Sequence, residues 1–210
     1  MKNNSAPFIA ISRHRIQTDG AGVTTLCAFH GCPLRCKYCI NPQSFSDNQN
    51  RILLSPSELY ERVRIDNIYF LATGGGITFG GGEPLLYPSF IAEFRGLCGK
   101  DWRICIETSL NVPKENVLAV ADIADEFFVD IKDTDSAIYE SYTGKSNHLV
   151  LENLKILLSV ASPERITVRI PLIKDYNTPA HQQKSIALLK EMGITKFDIF
   201  EYKIKDEVSS

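Results

Sequence analysis

The sequence lacks a marked charge excess and has no long apolar run. Lys and Arg number 23 against 25 Asp and Glu, a net charge of −2, so no basic surface indicates a nucleic-acid partner. No segment approaches the roughly 18 apolar residues of a membrane span, and residues 1–7 contain no apolar core of signal-peptide length. We therefore expect a cytoplasmic protein that binds neither nucleic acid nor membrane.

Signals of a domain boundary are also missing. The 210 residues contain no linker, repeat or low-complexity stretch, and 44% of them are hydrophobic. A chain of this length and composition is typical of one domain with one core. We therefore expect a single domain over residues 1–210.

Six cysteines stand out in this composition. Because thiols stay reduced in the cytoplasm, we interpret them as metal ligands or core residues rather than as a disulfide framework. Cys27, Cys98 and Cys105 lie in apolar surroundings and are expected to be small core residues.

The other three cysteines, Cys32, Cys36 and Cys39, follow a C-x3-C-x2-C spacing. Three thiolates at this spacing can hold one iron–sulfur cube and leave one iron without a protein ligand. An open iron can bind and activate a molecule, whereas a fully ligated cluster mainly transfers electrons. A structural zinc site with His30 is one alternative, although zinc usually takes two separated ligand pairs and no second pair follows. Ordinary buried thiols are the other alternative.

Short apolar runs alternate with helical patterns along the chain. The predicted strands cover residues 23–30, 77–79, 103–107, 127–132, 165–172 and 197–202. They are rich in Val, Ile and Phe without strict alternation, as in strands buried on both faces. Pro56, Pro113 and Pro179 mark helix starts between them. The order predicts an α/β fold with a parallel sheet, either a partial barrel or a doubly wound sheet.

Polar and glycine residues follow these strands at their carboxyl ends, where parallel folds gather their chemistry. The candidates are the cysteine loop, Gly80-Gly81-Gly82-Glu83, Glu107-Thr108, Asp130, Lys132 and Arg169. A glycine run exposes backbone to a docking molecule. The alternative for each polar residue taken alone is a salt bridge at the rim of the sheet, and for the glycines it is a tight turn.

Taken together, the cysteine spacing, the aromatic Tyr38 and the segment Gly81-Gly82-Glu83-Pro84 resemble the radical S-adenosylmethionine (SAM) superfamily. Further matching segments are 18–23, 30–42, 75–85, 130–132, 142–144 and 168–173. Within the superfamily the chain resembles the glycyl-radical-enzyme activases of the pyruvate formate-lyase type. The resemblance implies a TIM-like partial (β/α)6 barrel with parallel strands over residues 18–204, after an N-terminal extension at 1–17.

The resemblance also implies cofactors. A [4Fe–4S] cluster would be bound by Cys32, Cys36 and Cys39, with SAM chelating the fourth iron. Because residues 41–79 contain no cysteine, a single cluster is expected. By position, Tyr38 would lie against the adenine of SAM. The resemblance implies these further SAM contacts: backbone at Gly81, Gly82 and Glu83 for the methionine amino group, and Asn41, Asp130, Lys132 and Arg169 for the ribose and carboxylate. Glu107 and Thr108 would lie near the carboxylate, where some activases share a monovalent cation with the aspartate.

The implied activity is reductive cleavage of SAM to a 5′-deoxyadenosyl radical that takes hydrogen from a substrate. The first hypothesis is an activase whose partner is a glycyl radical enzyme. A radical SAM enzyme acting on a peptide or small molecule, and an electron-transfer module without SAM chemistry, are the alternatives. Flavodoxin or ferredoxin is the electron donor implied by the family. Two departures from the family pattern are Thr24, where arginine is usual, and Tyr202, near the place of a late histidine.

Overall fold

The computed structural model describes residues 4–46 and 51–202. Within these ranges the chain forms one eight-stranded sheet flanked by helices. The strands are β1 (Ala6–Ile16), β2 (Val23–Phe29), β3 (Ile52–Leu54), β4 (Gly76–Gly81), β5 (Arg103–Thr108), β6 (Glu126–Asp130), β7 (Ile166–Leu172) and β8 (Lys196–Glu201). The helices are α1 (Pro56–Val63), α2 (Asn67–Thr73), α3 (Pro88–Cys98), α4 (Lys114–Ala121), α5 (Ser136–Thr143), α6 (His148–Val160) and α7 (Pro179–Glu191).

The sheet is an open, partial barrel. Its strand order is β3-β1-β2-β4-β5-β6-β7-β8, so β3 and β8 lie at the two edges. From β2 through β8 each neighbouring pair is parallel. The six predicted strands and the parallel α/β fold are thereby confirmed, and the partial barrel, rather than a doubly wound sheet, is the architecture found.

Two strands were not predicted from the sequence. β1 pairs antiparallel with β2, and the short β3 pairs antiparallel with β1. The Phe8 ring of β1 stacks on Phe29 of β2 with 4.4 Å between centroids, so the segment before residue 17 contributes to the core. Polar residues at 12–15 interrupt the apolar pattern that usually identifies a strand.

Local signals explain where several helices begin. Ser55 and Glu58 form a reciprocal capping box at α1, with Pro56 at the first helical position. Thr178 begins α7 in a similar arrangement with His181. Among the described residues, no helix is long and apolar enough to cross a membrane.

The core lies between the sheet and its helices. Phe79 of β4 packs edge-on against Phe90 and Phe94 of α3, with ring centroids 6.5 and 5.4 Å apart. The predicted core cysteines are buried: Cys27, Cys98 and Cys105. These contacts hold β4 and β5 in place, and the carboxyl ends of the two strands bear candidate site residues.

Candidate functional site

A cavity of about 550 Å³ opens at the carboxyl ends of the parallel strands. All the candidate residues predicted from the sequence except Gly80 and Tyr38 line it: Cys32, Cys36, Cys39, Asn41, Gly81, Gly82, Glu83, Glu107, Thr108, Asp130, Lys132 and Arg169. These residues come from five separate segments, as the strand-end argument predicts. Sequence reasoning did not find these other lining residues: Arg15, Asp19, Leu26, Leu34, Ile40, Ser109, Phe200, Glu201 and Tyr202.

The cysteine loop is attached to the end of a helix. The backbone N–H of Arg35 donates to the carbonyl of Thr143 at 2.9 Å, and that of Lys37 donates to Tyr142 at 3.1 Å. The last carbonyls of a helix have no donor within the helix, so the loop satisfies two groups at the end of α5. The Arg35 side chain in turn donates to the carbonyl of Cys32 at 2.6 Å. The loop therefore has a defined position against α5.

The thiols in this loop are partly enclosed. Burial raises the pKa of Cys32 to about 12 and also raises the pKa of Cys36, against the opposing effect of Lys132. Thiolates in such surroundings need positive charge nearby, which an iron cluster supplies. Three soft sulfur donors on one cavity wall are the ligand set of such a cluster, so the donor chemistry fits the group.

The zinc alternative finds no support in the position of His30. Its Nε2 lies 2.9 Å from the carbonyl oxygen of Ser46, a contact away from the cavity lining. Within residues 4–46 and 51–202, no three His, Cys, Asp or Glu side chains are arranged as ligands of one metal ion. In a cluster, by contrast, each cysteine binds a different iron.

The glycine run forms a wall without side chains. Gly81 has a φ of 86°, and a Cβ there would lie 2.6 Å from the Cβ of Ala28. At Gly80, a Cβ would lie 2.5 Å from Oε2 of Glu107. The N–H of Glu83 donates to the carbonyl of Gly31 at 2.7 Å, which ties this edge to the cysteine loop. Glycine is needed here both for backbone conformation and for close approach.

The Glu83 carboxylate is buried at the cavity edge and is hydrogen-bonded to neighbouring protein groups. It accepts hydrogen bonds from the Thr108 hydroxyl at 2.7 Å, the Ser109 hydroxyl at 2.7 Å and the Ser109 N–H at 2.9 Å. Burial raises the pKa of Glu83, although the donors of Ser109 and Thr108 oppose this effect. Glu83 therefore fixes the end of β4 to the end of β5, and Ser109 is a partner that sequence reasoning missed.

A charged group adjoins the glycine wall, since Glu107 belongs to this group and lies beside Gly80. Arg169 donates from Nε to Asp130 at 2.9 Å and from Nη1 to Glu107 at 2.6 Å. Lys132 Nζ lies 3.6 Å from Asp130. Burial by itself would raise the pKa of Asp130, but Arg169 and Lys132 lower it. The pKa of Glu107 is raised, because burial outweighs the effect of Arg169.

This group can bind a zwitterion. Two cationic and two anionic side chains lie on one wall, so an incoming carboxylate finds donors and an incoming ammonium finds acceptors. The arginine bridges the two carboxylates, so its orientation is set before any ligand binds. Such preorganisation lowers the cost of ordering side chains on binding.

The side chain of Tyr38 lies outside the cavity lining. Its hydroxyl donates to Asp175 at 3.3 Å, and its ring packs edge-on against Tyr176 at 5.7 Å and Tyr142 at 6.1 Å. Tyr202 instead lines the cavity, and Lys132 Nζ lies 6.0 Å from its ring centroid. The adenine contact of Tyr38 stays a prediction.

Arg15 and Asp19 bring a second ion pair to the cavity. Arg15 Nη2 donates to Asp19 at 2.9 Å. Arg15 lies opposite Thr24 across the β1–β2 ladder, and the carbonyl of Asp19 accepts from Thr78 at 2.6 Å. Asp19 falls within the segment 18–23 that resembles the superfamily, and this resemblance could have identified it as a site residue. No sequence signal identified Arg15, because its position in the cavity depends on the unpredicted strand β1.

Comparison with known proteins defines the class. The family model described as the radical SAM superfamily matches residues 26–179. The chain belongs to the radical SAM superfamily. Membership implies a [4Fe–4S] cluster and SAM as cofactors, in agreement with the donor set in the cavity.

Within that superfamily the chain is an enzyme similar to activating enzymes. It is 34% identical to the pyruvate formate-lyase-activating enzyme of Clostridium pasteurianum, over 90% of this chain and 85% of the relative. It is 30% identical to the (2S)-3-sulfopropanediol dehydratase activating enzyme of Klebsiella oxytoca, over 91% of this chain and 80% of the relative.

Solved structures share the fold. SuiB of Streptococcus suis bound to S-adenosylmethionine matches with a TM-score of 0.64 and 16% identity, over 82% of this chain and 38% of that chain. His-tagged anSMEcpe with bound AdoMet matches with a TM-score of 0.56 and 17% identity, over 81% of this chain and 48% of that chain. At such identities a match shows the fold alone.

Proposed function

We propose that the chain is a glycyl-radical-enzyme activase that cleaves SAM reductively. One observation carries the proposal: the three loop cysteines and the charged wall around Arg169 line the same cavity. The relatives named as activating enzymes at 30% and 34% identity support the activase role. The partner would be a glycyl radical enzyme, and the electron donor a flavodoxin or ferredoxin. We further propose that residues 1–210 act as one radical SAM core domain.

In this proposal Cys32, Cys36 and Cys39 hold the cluster. When bound, the cluster and SAM supply the one-electron chemistry that yields a radical able to take hydrogen from a substrate. The protein supplies position, charge and the exclusion of water. The arrangement of the loop against α5 fixes where the thiolates stand.

The remaining wall residues orient SAM. Lys132 and Arg169 would receive its carboxylate, and the exposed backbone of Gly81 and Gly82 would accept hydrogen bonds from its ammonium group. Asn41, whose amide lies 3.4 Å from the Gly81 carbonyl, would contact the ribose. These assignments are proposals that follow from position on the cavity wall.

We also propose that a monovalent cation binds near Glu107, Thr108 and Asp130. Arg169 already bridges Glu107 and Asp130, with its guanidinium in contact with both carboxylates. A cation would therefore share these carboxylates with the arginine. Comparing SAM affinity in potassium and in a large organic cation such as tetramethylammonium tests whether it is required.

The test of the activase role is radical transfer to a partner. The reconstituted protein is incubated anaerobically with SAM, reductant and either purified pyruvate formate-lyase or (2S)-3-sulfopropanediol dehydratase. A glycyl doublet in electron paramagnetic resonance (EPR) with one of these supports the role. If 5′-deoxyadenosine forms but neither enzyme acquires a doublet, the peptide or small-molecule alternative is favoured instead. The same incubation with Cys36→Ala removes one proposed cluster ligand. Cys98→Ala, which alters a buried thiol of α3, is its matched control.

A further inference from the structure

Strand β8 is an open edge of the sheet. It ends the strand order beside β7, and among the described residues no other strand pairs with its outer side. Four of its six residues are exposed, and Ile199 is 50% exposed. The backbone groups along such an edge are a template for a further strand.

The hydrogen-bond pattern shows which backbone groups of this edge point outward. The N–H of Tyr202 donates to the carbonyl of Leu172 in β7 at 2.8 Å. Along a strand, successive residues direct their N–H and carbonyl groups to opposite sides. Counting back from Tyr202, Glu201 and Ile199 therefore direct their backbone groups away from β7, toward the open side.

The open edge leads into the cavity. Phe200, Glu201 and Tyr202 line the cavity that the three loop cysteines also line, and the rings of Phe200 and Tyr202 have centroids 6.5 Å apart. A strand added to β8 would lie about 4.8 Å from it and so would pass the cavity beside Glu201. The other edge strand, β3, has three residues, and none of them lines the cavity.

The proposed reaction determines what kind of strand fits this edge. A glycyl radical forms when the Cα of glycine loses one hydrogen atom to the radical derived from SAM. Glycine has no side chain that an enzyme could bind, so recognition at the reacting residue depends on the backbone. Pairing with a sheet edge recognises backbone through main-chain hydrogen bonds.

We propose that an extended, glycine-bearing segment of the partner enzyme pairs with β8 through the outward backbone groups of Ile199 and Glu201, and that this pairing brings the glycine Cα to the cavity. The inference rests on the proposed function and states how its partner binds. Ile199 and Glu201 are positioning residues in this account, since neither takes part in the hydrogen transfer.

The test compares Ile199→Pro with Ile199→Thr. Proline removes the outward N–H of residue 199 and is tolerated at a sheet edge, whereas threonine keeps this N–H and suits a strand. Each reconstituted variant is incubated anaerobically with SAM, dithionite and the enzyme that acquires the doublet with wild type, either pyruvate formate-lyase or (2S)-3-sulfopropanediol dehydratase.

The initial rate of doublet formation at subsaturating partner should fall about two- to tenfold for Ile199→Pro, the effect of one lost hydrogen bond. Ile199→Thr should match wild type. Release of 5′-deoxyadenosine in the absence of the partner should be unchanged in both variants, because residue 199 does not line the cavity. Equal rates of doublet formation in the two variants overturn the inference.

A second measurement keeps the inference testable if Ile199→Pro does not fold. Hydrogen–deuterium exchange of the wild-type protein is followed by mass spectrometry with fragmentation to single residues, with and without the same partner enzyme. The amides of Ile199 and Glu201 should exchange more slowly in the complex, whereas that of Tyr202, which is bonded to β7, should not change.

Unchanged exchange at Ile199 and Glu201 contradicts the inference. Slow exchange of these amides in the free protein also contradicts it, because another part of the chain or a second copy then occupies the edge already. If neither enzyme acquires a doublet with wild type, the proposed function itself fails. A doublet without slower exchange at the two amides refutes only this inference.

Discussion

Arg169 and Asp130 form a two-pronged ion pair on the cavity wall, with Nε and Nη2 of the arginine 2.9 and 3.1 Å from the two carboxylate oxygens. The residues are neighbours in the β6–β7 register, so the backbone ladder itself brings them together. The remaining guanidinium nitrogen, Nη1, reaches Glu107 on β5. One arginine of β7 thus joins β5, β6 and β7.

Removing this arginine should impair both stability and SAM binding. Arg169→Ala leaves Asp130 and Glu107 partly buried without their main partner, and we expect a loss of about 3 kcal/mol in the free energy of unfolding. SAM affinity should fall at least tenfold. Urea unfolding and isothermal titration calorimetry measure the two effects. The exposed Arg64→Ala is the control, and equal effects of the two changes would contradict the assignment.

Substitution of Gly81 should act through the backbone. Gly81→Ala places a Cβ against Ala28 at a residue with a φ of 86°, and we expect destabilisation of at least about 1 kcal/mol together with weaker SAM binding. Gly96→Ala is the matched control, because a Cβ there has no neighbour within 4 Å in helix α3. That change should stabilise the protein slightly. Unaltered SAM binding by Gly81→Ala would argue against a ligand contact at this wall.

The acid stability of the protein should depend on Asp66. This buried carboxylate accepts from Arg13 Nε at 2.7 Å and lies 2.9 Å from His14 Nε2. Burial by itself would raise its pKa, but Arg13 and His14 lower it overall. A lowered folded-state pKa means that this stabilisation is present above the unfolded pKa and is lost as pH falls through the folded value.

Asp66→Asn should therefore remove part of the acid dependence. Urea unfolding of wild type and variant from pH 6 down to pH 3 measures it. The difference in unfolding free energy between the two proteins should shrink as the pH falls. A difference that stays constant over this range would show that Asp66 does not titrate as described.

Tyr202 and Tyr38 are the two candidates for contact with the adenine of SAM. Tyr202 lines the cavity, whereas the Tyr38 ring packs against Tyr142 and Tyr176. Base stacking on an aromatic ring contributes about 1–3 kcal/mol, so loss of the contacting ring should weaken binding roughly tenfold or more. We expect Tyr202→Ala to weaken SAM binding more than Tyr38→Ala, as measured by calorimetry. The reverse order would favour the contact implied by family position.

Much of the site followed from one rule about strand ends. The cysteine loop, the glycine run and Asp130 each follow or end a strand whose apolar pattern is clear, and Arg169 lies within the next such strand, so their convergence was predictable. Arg15 was missed because its strand has an interrupted pattern and acquires its place only by pairing with β2. The direction of the Tyr38 ring was also out of reach, since contacts with residues more than 100 positions away determine it.

The most direct test of the account is the release of 5′-deoxyadenosine from SAM after anaerobic reconstitution and reduction with dithionite. We predict product from the wild type and from Cys98→Ala, and a loss of at least 100-fold, on the order of 3 kcal/mol in the barrier, for Cys36→Ala. No product from a wild type that carries its cluster, or undiminished product from Cys36→Ala, would contradict the claim that this cavity performs radical SAM chemistry.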